Sequence, residues 1–277
     1  MSGRKVTDLR GSYVERGAWL IKNLRSLGLL DGRPLAALEV GTGWMHFYGI
    51  VLSLAGVRSI DLYDQWDNRQ FLRLKRSFKD FGSQLEALGL AGSEQLNAER
   101  TLTAVQTADS FEQLYAQLGM RYFVESNGDM TSLPRGYYDI VCSLDVLEHV
   151  RAASLPEFIR RMSSLLKPTG ISLHQIGLDD HLAHYDRGAL RKQLLHYGQR
   201  IWDLRFANGV QYVNRVSLDA FREMFLAAGF EAISTATQQD SSAFVREKVA
   251  PCFSDQSDES LSAVRAFFVH RKVAGNA

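Results

Sequence analysis

The chain of 277 residues is 45% hydrophobic and 23% charged, and its formal net charge is +1. This length and composition allow one large domain with a core of normal size, and the near-neutral charge gives no general reason to expect a nucleic acid or a membrane surface as a partner. Two cysteines are too few for a disulfide framework. No apolar run is long enough for a membrane span, and no apolar signal segment follows residues 1–5, so we expect a cytoplasmic protein.

The predicted elements alternate between helices and apolar strands. A first helix over 13–29 lies in an N-terminal helical cap of residues 1–33, and residues 34–277 form the main domain. Strands are predicted at 36–40, 59–63, 121–125, 138–144, 170–175, 231–235 and 263–270, and further helices at 47–55, 155–166 and 218–228. The first five strands are mostly continuous apolar runs in a strand–helix–strand rhythm, which predicts an α/β fold whose parallel sheet is covered on both faces.

Two segments depart from this rhythm. Residues 66–120 are far longer than one crossover helix, and their Leu, Phe and charged residues predict a helical insertion of two or three helices between strands two and three. Residues 236–262 are rich in Ser, Gln and Asp, and we expect an irregular excursion there before the last strand.

The turn Gly41-Thr42-Gly43 joins the first strand to the next helix. Glycine lets the backbone turn sharply and approach a ligand closely, and the N–H groups at the start of a helix favour an anionic or polar ligand group. The dinucleotide fingerprint G-x-G-x-x-G is broken, because its third glycine position is His46. NAD and FAD are therefore disfavoured, and a plain strand-to-helix turn is the alternative interpretation.

Acidic residues follow the next strands at positions suited to a nucleoside. Asp64 ends the second strand about 20 residues after the glycine turn, where a carboxylate can accept both hydroxyls of a ribose. Asp61 competes for this role, and strand alternation favours Asp64. Asp129 follows the third strand, at the carboxyl edge where ligands of parallel sheets bind.

These pieces, taken in order, resemble the class I S-adenosylmethionine-dependent methyltransferases, in particular their small-molecule branch. The matching segments are Glu39-Val-Gly-Thr-Gly, Asp64, Gly128-Asp129, Tyr138-Asp-Ile-Val, Val146-Leu-Glu-His-Val and Leu165-Leu-Lys-Pro-Thr-Gly. Each motif alone is weak, whereas the ordered set is specific. The resemblance implies a Rossmann-like, mostly parallel sheet of seven strands whose last strand is antiparallel, helices on both faces, and S-adenosylmethionine as the cofactor.

The resemblance also implies roles for individual residues of the cofactor site. Glu39 and the turn residues Gly41, Thr42 and Gly43 would face the amino-acid end of S-adenosylmethionine, and Asp64 would hold its ribose. Asp129 and the backbone of Met130 would meet the adenine, and Ser143 and Leu144 would line the methionine side. Trp44 and Met45 stand where the family often has small residues, so their bulk would narrow the pocket or move the methionine group.

The segment 174–186 leaves the fifth strand at the edge where the acceptor is expected. His181 or His184 is a candidate general base, with Asp180 or Asp186 orienting the imidazole, and His149 is a further candidate. Two alternatives stay open for these residues. They could serve as turn caps, or the His-x-x-His spacing with nearby carboxylates could hold a metal; because the spacing is not a strong zinc pattern, we predict no metal.

The sequence thus predicts methyl transfer to an oxygen or nitrogen of a small-molecule acceptor. Trp66, Trp202, Phe206 and Tyr212 would either roof an apolar acceptor pocket or belong to the core. A nicotinamide-dependent oxidoreductase and a non-catalytic, cofactor-binding interaction subunit are the alternative functions. The insertion and the N-terminal helix are candidate surfaces for a homo-oligomer.

Overall fold

Seven strands, all within the described residues 11–186, 188–206 and 212–273 of this computed structural model, form one sheet. They are β1 Ala36–Val40, β2 Ser59–Asp64, β3 Met120–Val124, β4 Tyr138–Leu144, β5 Leu166–Gly177, β6 Phe230–Gln239 and β7 Ala263–Lys272. Their order in the sheet is β3-β2-β1-β4-β5-β7-β6. This seven-stranded mixed sheet confirms the predicted fold class.

The helices also follow the predicted pattern within one to three residues where both exist. They are α1 Gly11–Ser26, α2 Phe47–Leu54, α3 Phe71–Phe78, α4 Ser93–Thr107, α5 Phe111–Leu118, α6 Leu155–Leu165, α7 Gln199–Arg205, α8 Leu218–Ala227 and α9 Asp258–Ser262. In the described ranges, no helix is both long and apolar enough to cross a membrane. The chain divides into a first unit, residues 1–142, and a second unit, residues 143–277.

In the first unit, β1 lies between two parallel neighbours. It pairs with β2 and with β4, and β2 pairs in parallel with β3. All five residues of β1 are buried, the four apolar residues as predicted and Glu39 with them. Because the strands are parallel and Val40 is in register with Tyr63, the turn after β1 and the end of β2 lie side by side.

The insertion between β2 and β3 is helical, as predicted, and contains α3, α4 and α5. Its last helix, α5, is capped at its N-terminus by Ser110, whose hydroxyl accepts the N–H of Gln113 at 3.2 Å, and at its C-terminus by Gly119, with φ of 68°. A Cβ at Gly119 would come within 2.2 Å of the Arg58 carbonyl oxygen. Glycine is therefore required there to let the insertion return against the start of β2.

In the second unit, β7 runs antiparallel to both β5 and β6. The prediction of irregular structure over 236–262 was wrong at both ends of that segment. Strand β6 continues to Gln239, and helix α9 occupies Asp258–Ser262. The strand β6 was predicted too short because the residues at its end are polar and show no apolar pattern. They are mostly exposed on an edge strand, and their pairing with β7 rather than their hydrophobicity keeps them extended.

Candidate functional site

The glycine turn and the end of β2 form one constellation in the first unit. Gly41 and Gly43 have φ of 74° and 66°, a left-handed backbone that favours glycine. One oxygen of Asp64, Oδ2, accepts the N–H of Gly43 at 2.9 Å, and Oδ1 accepts the N–H of Gln65 at 2.8 Å. A carboxylate has about four acceptor positions, so half-buried Asp64 can accept further hydroxyl groups.

There is room beside the backbone of this turn. A Cβ built on Gly43 would meet no atom within 4 Å. This open space lies next to the Asp64 carboxylate, which has acceptor positions left, so the hydroxyl groups of an adenosine would fit there.

Asp61, the competing carboxylate on β2, is committed to the structure. It is 1% exposed and accepts hydrogen bonds from Arg121 Nε at 2.8 Å and from the Tyr138 hydroxyl at 2.6 Å. Its second bond to the same guanidinium, at 2.7 Å, completes a bidentate ion pair. This difference supports the preference for Asp64, three residues further along the strand.

A chain of hydrogen bonds ties the glycine turn to the insertion. Tyr115 of α5 lies 2.8 Å from His46 Nε2, and His46 Nδ1 lies 2.9 Å from the Thr42 hydroxyl. Thr42 in turn donates to Glu39 Oε2 at 2.9 Å. Each group donates once if Tyr115 donates to Nε2 and the imidazole carries its proton on Nδ1.

His46 stands where the dinucleotide fingerprint has its third glycine. Its φ of 52° and ψ of 40° are left-handed, a conformation uncommon for a residue with a side chain. Burial, together with the nearby charge of Arg69, lowers the pKa of His46 to about 3, so the ring is neutral. The sequence showed this residue only as a missing glycine, and its structural role was missed.

Glu39 supports the turn from below. Its Oε2 also accepts the N–H of Gly49 at 2.7 Å, and the side chain is 1% exposed. Burial raises the pKa of Glu39 to about 8, despite opposing hydrogen bonds from Thr42 and Gly49. The group is thus mostly protonated near neutral pH, and its predicted approach to the amino-acid end of a cofactor stays a prediction.

The insertion also contacts Trp44, the first of the two bulky residues that follow the turn. Gln70 donates its N–H to the Trp44 carbonyl at 3.0 Å, and the Arg73 guanidinium lies 5.9 Å from the centre of the Trp44 ring. Met45 is buried. Trp66, by contrast, is 65% exposed and is not part of the core.

The loop after β3 lies beside the end of β2. Gly128 has φ of 76°, and a Cβ there would lie 2.5 Å from Gln65 Nε2. Asp129 is exposed, and its Oδ2 accepts Asn127 Nδ2 at 2.7 Å. Met130 is buried with φ of 51°. Their adenine contacts remain predictions.

In the second unit, the predicted residues at the end of β4 are buried. Leu144 is 6% exposed and Ser143 is fully buried. The Ser143 hydroxyl lies 2.7 Å from His174 Nδ1, and burial lowers the pKa of His174 to about 3. Any cofactor contact at Ser143 would therefore involve its backbone, and it remains untested.

Two of the candidate histidines come together in the second unit. His149 ends the short 3-10 helix Leu147–His149, and His181 begins the 3-10 helix His181–His184. Their ring centres are 5.0 Å apart. One potential ligand atom of each, together with one of Glu148, lies within 4.8 Å of the others. The side chain of His184 lies outside the described residues.

The segment 212–216 holds this histidine cluster in place. The Tyr212 carbonyl oxygen lies 2.7 Å from His149 Nδ1. Asn214 donates its side-chain amide to the carbonyls of Leu147 at 2.7 Å and Val150 at 3.0 Å, and its N–H to Glu148 O at 2.9 Å. Sequence reasoning used Glu148 only as part of a motif, with no role of its own, and it missed Asn214, because nothing in the linear pattern places 212–216 against the turn after β4.

The other candidates near this cluster have structural contacts. Asp180 Oδ1 accepts the N–H of Leu182 at 2.9 Å and Asp186 Oδ1 that of Gly188 at 2.8 Å, so both cap turns. Their orienting role is not tested. Trp202 lies in a buried apolar cluster against which Phe206 packs, which favours the core interpretation over a pocket roof for these two rings.

The fold is similar to solved methyltransferase structures. One is a candidate sarcosine dimethylglycine methyltransferase from Galdieria sulphuraria, with 15% identity and a TM-score of 0.53 over 94% of this chain and 86% of the other. Another is a candidate S-adenosylmethionine-dependent methyltransferase from Listeria monocytogenes, with 15% identity and a TM-score of 0.51 over 94% of this chain and 99% of the other. At such identities the similarity supports the fold alone.

The sequence itself matches a family model. No curated protein matches it, but the model of a family described as a methyltransferase domain matches residues 20–235, which is most of the chain. The matched region includes both the glycine turn with Asp64 and the cluster of Glu148, His149 and His181. The chain therefore belongs to this methyltransferase family, which confirms the class I S-adenosylmethionine-dependent methyltransferase predicted from its motifs.

Proposed function

We propose that this methyltransferase transfers a methyl group to an oxygen or nitrogen atom of a small-molecule acceptor. The observation that carries the proposal is the left-handed Gly41–Gly43 turn, with open space beside Gly43 and the partly exposed Asp64 carboxylate bonded to its N–H. When bound, S-adenosylmethionine would supply a methyl group activated by its sulfonium sulfur, which would keep the electron pair of the carbon–sulfur bond while an electron pair of the acceptor forms the new bond. The chain itself then has to bind the cofactor and the acceptor, orient them toward each other, and help the acceptor lose its proton.

We assign the cofactor contacts to the residues that the sequence motifs implicate. Asp64 accepts the ribose hydroxyls, and the backbone of Gly41, Thr42 and Gly43 faces the amino-acid end. Asp129 with Met130 meets the adenine, and Ser143 with Leu144 lines the methionine side. Glu39, buried beneath the turn, acts mainly by holding Thr42 and Gly49 in place.

An acceptor that carries an O–H or N–H must lose a proton during transfer, which the histidine cluster assists. Since His149 Nδ1 donates to a carbonyl oxygen, its Nε2 is the basic nitrogen. His181 and His184 are the other candidates. The net charge of +1 supports a small acceptor over a nucleic acid, and a cytoplasmic location and a homo-oligomer are parts of the same proposal.

Calorimetry with S-adenosylhomocysteine tests the donor half of this proposal. We expect micromolar binding by the wild type, and Asp64→Ala should weaken it by about 1–3 kcal/mol, because a charged hydrogen-bond acceptor is lost. Asp80→Ala removes an exposed carboxylate of the first unit and should leave the affinity unchanged. Folded wild type that binds NAD(P) and not S-adenosylhomocysteine would contradict the proposal.

A panel of small oxygen and nitrogen acceptors tests the other half. Methylated product should appear with the wild type and be reduced in His149→Ala and His181→Ala. Cofactor binding without turnover on any acceptor would instead favour the interaction-subunit alternative.

A further inference from the structure

We propose that Glu148, His149 and His181 form a site for one divalent transition-metal ion. The inference deepens the proposed function. Only the use of the ion in catalysis rests on that function. Binding of the ion depends on these three side chains alone. It departs from the expectation of no metal, which considered the His-x-x-His spacing of 181 and 184 and not the turn after β4.

The first argument is distance. One ligand-capable atom of each side chain lies within 4.8 Å of the other two. Bonds from a transition metal to nitrogen or oxygen are about 2.0–2.2 Å, so two ligands on one ion lie about 3–4 Å apart. The limit of 4.8 Å in the protein exceeds that spacing by about 1–2 Å, so the three atoms already lie near the separation of ligands on one ion.

The second argument is the orientation of His149. Its Nδ1 lies 2.7 Å from the Tyr212 carbonyl oxygen, which can only accept, so Nδ1 carries the proton and Nε2 carries the lone pair. A histidine that ligates a metal commonly donates its other N–H to a carbonyl or a carboxylate, which fixes the tautomer and the ring direction. His149 has this arrangement before any ion is bound.

The third argument is the rigidity of the carboxylate. Glu148 is 2% exposed, and its Oε1 accepts the N–H of Gly177 at 3.0 Å. A Cβ at Gly177 would lie 2.7 Å from that oxygen, so the glycine is what admits the carboxylate. Asn214 holds the same turn through three hydrogen bonds. A pre-oriented carboxylate loses little freedom on binding an ion.

The ligand types select the class of ion. Two imidazoles and one carboxylate suit Zn²⁺, Fe²⁺, Mn²⁺ or Co²⁺, whereas Mg²⁺ and Ca²⁺ prefer oxygen ligands. Three protein ligands leave positions open for an oxygen of the acceptor. A bound cation lowers the pKa of a hydroxyl that coordinates it, so His149 and His181 would assist deprotonation through the ion instead of taking the proton themselves.

Titration of the tag-free full chain with Co²⁺, followed by visible absorption and calorimetry, tests the site. We expect one Co²⁺ per chain, with visible bands typical of nitrogen and oxygen ligands. Mg²⁺ should bind at least tenfold more weakly, because the imidazoles disfavour it. Glu148→Gln keeps an acceptor for Gly177 but loses the charge, and it should weaken Co²⁺ binding at least tenfold, as should His149→Ala and His181→Ala.

His196→Gln is the matched control. It removes a half-buried imidazole of the second unit that accepts the N–H of Val245 and lies outside the cluster, and it should leave Co²⁺ affinity unchanged. Thermal unfolding of every variant checks that it is folded. Unchanged affinity in folded His149→Ala and His181→Ala, or no Co²⁺ binding by the wild type, would overturn the site.

The same samples separate this inference from the proposed function. Co²⁺ binding that requires Glu148 and His149 supports the metal site even where S-adenosylhomocysteine fails to bind, in which case only the proposed function is lost. Methyl transfer that is unaffected by a strong chelator, in protein shown to be free of metal, would overturn the catalytic use of the ion.

Discussion

His46 in the first unit and His149 in the second unit each lie just after a strand, yet their surroundings differ. His46 is fully buried, both ring nitrogens have partners, and its pKa is lowered to about 3 by burial. His149 is exposed, and within the part of the chain that the structure describes only its Nδ1 has a hydrogen-bond partner, a backbone carbonyl. Hydrogen-bond saturation and burial therefore separate a histidine that maintains a loop from one suited to chemistry.

Carboxylates in the first unit differ in the same way. Asp61 and Glu39 are each 1% exposed and accept hydrogen bonds from protein groups, whereas Asp64 is half-buried at a strand end. Residue type and position along the chain therefore indicate only which residues could form a site. The partners that a side chain already has decide whether it can serve a ligand.

The largest expected effect is the pH dependence of stability that comes from Glu39, the buried acid beneath the glycine turn. The pKa of Glu39 is raised to about 8 by burial, against about 4.5 when unfolded. Between these values the folded chain holds a proton that the unfolded chain releases, so stability falls as pH rises from about 5 to 8. We expect a loss of several kcal/mol over this range, measured by chemical unfolding at several pH values.

Glu39→Gln provides the comparison for that pH dependence. Its amide oxygen can still accept from Thr42 and Gly49 but cannot ionise. The decline above pH 5 should be much shallower in this variant. Equal slopes in the two proteins would show that Glu39 is ionised in the folded state.

The next effect separates the two aspartates of β2. Asp61→Ala removes a bidentate ion pair with Arg121 and the partner of the buried Tyr138 hydroxyl. We expect a loss of about 3 kcal/mol in the free energy of unfolding. Asp64→Ala should cost about 1 kcal/mol, because it loses two bonds at a half-buried site. Urea unfolding compares them, and equal losses would erase the distinction between the two residues.

Much of the fold could be predicted because its causes are local. Continuous apolar runs predicted the buried strands β1 and β4, and apolar spacing with charged residues predicted the helices of the insertion. The end of β6 could not be predicted this way. Its exposed polar residues have no apolar period, and they are extended because β7 pairs with them.

The candidate sites were predictable only where the chain itself brings the residues together. Gly43 and Asp64 meet because β1 and β2 are parallel neighbours, which the strand–helix–strand rhythm implies. Tyr115 reaches His46 from 69 residues away, and Tyr212 reaches His149 from 63 residues away. Contacts of this kind depend on the path of an insertion or a loop, and no spacing in the sequence encodes them.

The smallest expected effect tests whether His46 is structural. His46→Gly restores the fingerprint glycine and relieves a left-handed backbone, a gain of about 1 kcal/mol. It also removes the bonds to Thr42 and Tyr115, about 1 kcal/mol each, and the packing of the ring on Phe111, whose centre is 4.8 Å away. We therefore expect a net loss of about 2 kcal/mol in urea unfolding. His149→Ala, at an exposed site, should lose less than about 1 kcal/mol. If the glycine variant is instead more stable than the wild type, backbone strain at His46 outweighs its hydrogen bonds. His46 would then not serve to hold the turn against the insertion.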